Sequence, residues 1–121
     1  MRTILLVDDD DALRTMVDDW LSAAGFEVIA VPDTVAAVRE VEARPTIDLC
    51  LIDLVMPTDV PDGPALVRSI RSLRPDMPVI LMTGYYAAAA RLTDLKAVAL
   101  LYKPFDMPAL IAEITRQTTA A

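Results

Sequence analysis

The chain has 121 residues, 55% of them hydrophobic, with a formal net charge of −7 and no histidine. That length predicts one compact domain over residues 1–121, with a proper core and no room for a second folded unit. The acidic balance argues against binding nucleic acid through backbone phosphates, and the lack of histidine excludes imidazole catalysis and imidazole metal ligation.

In chain order, Met1 is followed at once by the strand-like "TILLV" (3–7), too short and too abruptly acidic for a signal peptide. No apolar run reaches the length of a membrane span, so the expected compartment is the cytoplasm. Leu13, Met16, Val17, Trp20, Leu21 and Ala24 then recur at helical spacing up to Gly25, which places Trp20 in the core rather than in a binding site. A second strand is read over "FEVIA" (26–30), and a second helix from Val35, Val38 and Val41, ended before Arg44-Pro45. The run "DLCLID" (48–53) is a third strand, with Cys50 as a buried thiol and no disulfide framework. Leu66, Val67, Ile70 and Leu73 mark a third helix, ended by Pro75. After the strand "PVILM" (78–82), the Ala-rich "AAAARLTDL" (87–95) gives a short fourth helix. A last strand, "AVALLY" (97–102), precedes a helix capped by Asp106 and carrying Met107, Leu110, Ile111 and Ile114 on one face. Only the closing "TTAA" reads as a frayed tail. Five strands alternating with five helices predict an α/β fold: a doubly wound, five-stranded parallel sheet of flavodoxin-like order 2-1-3-4-5 with helices on both faces.

The stretch "LLVDDDDALR" (5–14) crowds four carboxylates behind the first strand. Helix capping accounts for one or two of them. Like charges about 4 Å apart repel by about 4 kcal/mol at an effective dielectric of 20, so the full run calls for a second reason. Ligands of such sheets bind at the carboxyl ends of the strands, near the switch point. There Asp8 and Asp9 follow strand one and Asp53 ends strand three, on neighbouring strands if the order is 2-1-3-4-5. Three converging carboxylates cannot all ionise cheaply unless a cation joins them or one pKa rises, and Mg²⁺ (or Mn²⁺) suits such an all-oxygen set best. Asp10 and Asp11 then keep the capping and first-turn roles. Thr83 at the end of "LMT" and Lys103 in "LYKPF" reach the same rim. Each alone reads as a turn residue or a solvated lysine. With the carboxylates they form a site able to hold Mg²⁺ and a phosphoryl group on an aspartate.

These residues resemble the receiver domain of two-component response regulators: "LLVDDD", "LIDLVMP", "LMTG" and "YKPF" match in order and spacing over essentially the whole chain. The resemblance implies a signalling domain rather than an enzyme. Asp53 would be the phosphoacceptor, taking its phosphoryl group from a phosphohistidine of a histidine kinase or phosphotransfer protein. Asp8 and Asp9 would hold Mg²⁺ together with Asp53 and the backbone carbonyl of Val55. Thr83 and Lys103 would contact the phosphoryl group, with Lys103-Pro104 cis. A downstream protein target is implied, without direct DNA binding. Three departures stand out. "DLVMPTDVPDG" (53–63) is about two residues longer than the family's D-x-x-M-P-x-x-D-G, and Thr83 to Lys103 is about two residues shorter than usual. Leu100 occupies the place of the family's switch aromatic; Tyr102, of the same strand parity, either substitutes for it or packs at a sheet edge.

Three rivals fit less well. A haloacid-dehalogenase-type phosphatase would use Asp8 and Asp10, but Ala12 stands where its pattern wants Thr or Val. A flavodoxin needs hydroxyls and amides after strand one, where four aspartates would repel the flavin phosphate. A receiver-like interaction module that takes no phosphate would not need the acceptor residues, all of which are present.

Overall fold

The runs 3–7, 49–52 and 79–82 become strands buried on both faces because helices cover each side of the sheet, whereas 27–30 at the sheet edge is only partly covered. The computed structural model describes residues 2–53, 63–83, 98–102 and 106–119. Five strands, β1 (Thr3–Val7), β2 (Glu27–Val31), β3 (Leu49–Asp53), β4 (Val79–Thr83) and β5 (Val98–Tyr102), pair in the order β2-β1-β3-β4-β5. All four pairings are parallel. The described helices are α1 (Asp11–Ala23), α2 (Thr34–Ala43), α3 (Gly63–Leu73) and α4 (Met107–Thr119). The predicted strand order and helix layers therefore hold, with strand ends within a residue of the sequence reading. The segment 87–95, read as a helix, lies outside the described residues.

Strand alternation divides the core in two. Leu5, Val7, Cys50, Ile52, Val79 and Leu81 pack with Ala37 and Val41 of α2 and Leu66, Val67 and Ile70 of α3. Ile4, Leu6, Leu49, Leu51, Ile80 and Met82 pack with Val17 and Leu21 of α1 and Leu110 and Ile114 of α4. Cys50 is a free thiol within the first cluster, and burial pushes it up to about 12. Among the described residues no helix is long and apolar enough to cross a membrane.

Helix ends follow local chemistry. Asp10, Asp33 and Asp106 accept hydrogen bonds from the backbone N–H of Leu13, Ala36 and Ala109, each satisfying an otherwise orphan donor. α1 ends in paired bonds from Gly25 N–H to Ser22 O and from Phe26 N–H to Leu21 O, both 3.1 Å. Gly25 has φ +99°, a conformation glycine adopts without Cβ penalty, and the buried Phe26 joins Leu21 in the same cluster. At the amino end of the sheet, Thr3 N–H donates to Asp48 Oδ2 and Asp48 N–H donates to Thr3 O, both at 2.8 Å, clasping β1 to the approach of β3.

The apolar stripes are wider than the faces they bury. Trp20, assigned to the core from its spacing, is 47% exposed, and Met16 is 41% exposed. At 100° per residue each lies one step round the helix from a buried neighbour, Leu21 or Val17, on a flank that the sheet does not reach. On α2 the buried positions are Thr34, Ala37 and Val41, while Val35 points outward, because a strict three-residue spacing drifts off a single face. Leu73, the last residue of α3, is likewise exposed.

Candidate phosphoryl and metal site

The four carboxylates of the acidic run have separate surroundings. Asp8 directly follows β1 and is fully buried. Its N–H extends the β1–β2 ladder to Val31 O at 3.2 Å, and its Oδ1 accepts from Asp10 N–H at 2.9 Å. Its carbonyl accepts from Arg14 Nη1 at 2.8 Å. Asp9 is half-buried. Asp10 is the α1 cap, with Leu13 N–H 3.0 Å from its Oδ1. Asp11, in the first turn of α1, is exposed and ion-paired with Arg14 at 2.5 Å. The expected roles, Asp10 as cap and Asp11 as first-turn charge, are thus seen. A buried carboxylate is costly unless bonded, so the full burial of Asp8 marks it off from the half-buried Asp9 and the exposed Asp10 and Asp11.

Strand register brings the other backbones to the same edge. Val7 pairs with Ile52 on adjacent strands, so the next residues along β1 and β3 are Asp8 and Asp53. Asp53 in turn pairs with Met82, the residue before Thr83, and Thr83 pairs with Tyr102 at the end of β5. This edge is the carboxyl end of the sheet, and β1 and β3 flank the point where the chain direction of winding reverses, the usual ligand crevice of the fold. Val55, Lys103 and Pro104 lie outside the described residues, as do the segments 54–62 and 84–97 and the side chains of Asp53, Thr83, Leu100 and Tyr102. Among the described residues no three His, Cys, Asp or Glu side chains gather as a metal site. The donors that are described, Asp8 and Asp9, are hard oxygen ligands at the end of one strand, a chemistry that fits Mg²⁺ rather than a soft metal.

Arg14 was passed over by motif spacing. Its guanidinium spans the acidic turn from the Asp8 carbonyl to the Asp11 carboxylate. The i,i+3 placement of Asp11 and Arg14 was the available signal; the reach back to a carbonyl six residues earlier had none.

The sequence matches the family model described as response regulator receiver domain over residues 4–115. It is 38% identical over 115 residues to the response regulator protein FleR of Pseudomonas aeruginosa, covering 93% of this chain and 24% of that protein. It is 33% identical to the response regulator receiver protein CpdR of Brucella abortus, over the whole of both chains. The solved structure of response regulator protein TrrA from Thermotoga maritima, in complex with Mg²⁺-BeF, superposes with a TM-score of 0.86 at 25% identity, covering 97% of this chain and 99% of that chain. The chain thus spans about a quarter of FleR and the full length of CpdR.

Proposed function

Because the chain belongs to the response regulator receiver domain family, we propose that Asp53 accepts a phosphoryl group from a phosphohistidine of a histidine kinase or phosphotransfer protein, and that the resulting change of state signals to a protein partner. The observation that carries this reading is the buried Asp8 carboxylate at the end of β1, one register step beyond the Val7–Ile52 pair and thus level with Asp53 on the neighbouring strand. In the transfer, an Asp53 carboxylate oxygen forms the new O–P bond as the P–N bond to the donor imidazole breaks, and the imidazole leaves with a proton. Asp8, Asp9, Asp53 and the Val55 carbonyl would hold Mg²⁺, which when bound neutralises phosphoryl oxygens. Lys103 supplies a second positive charge and Thr83 a hydrogen-bond donor. A phosphoryl group adds about −1.5 to −2 charge to an already acidic rim, which is why the reaction depends on the cation and on Lys103.

The test is incubation with a small phosphodonor such as acetyl phosphate, with and without Mg²⁺, read by intact mass. One phosphoryl adduct is expected, labile to acid and base, dependent on divalent metal and missing in Asp53→Asn. Full labelling of Asp53→Asn, or labelling indifferent to chelation, overturns the assignment. The family match leaves a phosphatase or a phosphate-free interaction module unsupported.

A further inference from the structure

Hydrogen bonds hold the N–H, the Oδ1 and the carbonyl of Asp8, and the last of these bonds comes from a side chain that no sequence motif assigned. Its N–H is fixed by Val31 O and its Oδ1 by Asp10 N–H. Its carbonyl is fixed by Arg14 Nη1 at 2.8 Å. That carbonyl belongs to the planar peptide joining Asp8 to Asp9, so the bond from Arg14 sets the tilt of the unit from which both carboxylates project. Arg14 is itself anchored. Its N–H donates to Asp10 O at 2.9 Å in the first turn of α1, its second guanidinium nitrogen reaches Asp11 Oδ1 at 2.5 Å, and its side chain is only 19% exposed. The fork thus closes a loop around Asp8–Asp11, a geometry that a planar guanidinium supports and a single ammonium does not.

We propose that Arg14 is a positioning residue for the metal site, holding the Asp8–Asp9 peptide so that both carboxylates face the cation. This rests on the reading of Asp8 and Asp9 as metal ligands. It makes a prediction of definite sign. A guanidinium beside an acidic cluster repels a dication, so if charge were its main effect, removing it would tighten Mg²⁺ binding. If positioning dominates, removing it weakens binding, as loss of an outer-shell partner does elsewhere by about 10- to 100-fold.

The experiment titrates MgCl₂ at constant ionic strength into the wild type, Arg14→Ala, Arg14→Gln, Arg14→Lys and Asp8→Asn, following backbone amide chemical shifts, with thermal unfolding measured in parallel. The expected result is Mg²⁺ affinity about tenfold or more weaker in Arg14→Ala and Arg14→Gln, with partial recovery in Arg14→Lys. Shifts at the Asp8, Asp9 and Asp10 amides should already differ before metal is added. Unchanged or tighter binding by the folded Ala or Gln variant overturns the proposal, as does lower stability with affinity intact. Should Arg14→Ala not fold, the Gln and Lys variants carry the comparison. A wild type that ignores Mg²⁺, or an Asp8→Asn variant that binds as well as wild type, overturns the metal-site reading itself. Binding lost in Asp8→Asn but kept in Arg14→Gln overturns the role of Arg14 alone.

Discussion

Asp10 offers a way to separate helix capping from ligand chemistry within one run of acids. Its carboxylate caps α1 through Leu13 N–H, while its contribution to Asp8 is made by its own backbone N–H, which any non-proline substitution retains. Asp10→Asn keeps a good cap and loses the charge; Asp10→Ala loses both. The difference between the two variants therefore isolates the cap, worth about 1 kcal/mol. Unfolding entropy of about 2.1 cal/mol/K per residue over 121 residues makes that a shift of about 4 °C, with Asp10→Ala melting below Asp10→Asn. Differential scanning calorimetry measures the shift, and isothermal calorimetry with MgCl₂ measures the metal. Both variants should bind Mg²⁺ with the wild-type midpoint. Equal melting temperatures for the Ala and Asn variants would refute the capping role, and loss of Mg²⁺ binding in both would show that Asp10 is a ligand.

On the proposed assignment, in which carboxylates hold the metal, Lys103→Ala should retain Mg²⁺ affinity in the same calorimetry but lose the conformational response to beryllofluoride; a large loss of metal affinity counts against that division of roles. Hydrogen exchange with and without beryllofluoride should change across 83–95, because the stretch from Thr83 to Lys103 is shorter than the pattern the sequence resembles and Leu100, beyond that segment, offers no ring to carry the change in β5. Changes confined to β5 and α4 would show that reading to be wrong. Cys50 contributes a pH dependence: burial raises its thiol from 9.0 to about 12. The unfolded chain therefore loses that proton first, and stability that is complete below pH 9 falls as pH rises toward 12, by about 1.4 kcal/mol per pH unit. In urea unfolding the slope should be shallower for Cys50→Ala, and an identical slope would mean that the thiol ionises as easily in the fold as outside it.

Most of the fold was legible because its signals are local. Short, β-branched or aliphatic apolar runs such as "TILLV" and "LCLID", alternating with amphipathic helical segments, read as strands covered on both faces, and Asp10, Asp106 and Gly25 are stop and start chemistry that the backbone obeys. Burial on the helices was less legible. Met16 and Trp20 belong to the apolar stripe by spacing, yet only Val17 and Leu21 are buried on α1, because the width of the contact depends on how the helix lies on the sheet. In the site, the sequence separated Asp8 and Asp9, read as ligands, from Asp10, read as a cap; the hydrogen bonds show the cap, and burial sets Asp8 apart. The bond from Arg14 to the Asp8 carbonyl was not legible, since a main-chain acceptor leaves no mark in residue identity. Asp53 and Thr83 are placed by their backbones alone, and Lys103 and Val55 lie outside the described residues.

The clasp between Thr3 and Asp48 bears on alignment. Strands that are apolar at nearly every position slide past one another without exposing anything polar, so hydrophobic pattern alone cannot tell one alignment of β1 and β3 from the next. A slip of one residue would carry Asp8 about 3.3 Å along the strand axis relative to Asp53, well beyond the tolerance of a cation whose ligands sit at about 2.0–2.1 Å. The reciprocal bonds between Thr3 and Asp48, at the far end of the sheet from the acidic rim, fix the starting point from which both strands are counted. Five residues further along, that count brings Asp8 level with Asp53, so an exposed aspartate remote from any chemistry acts as the origin of the site's ruler.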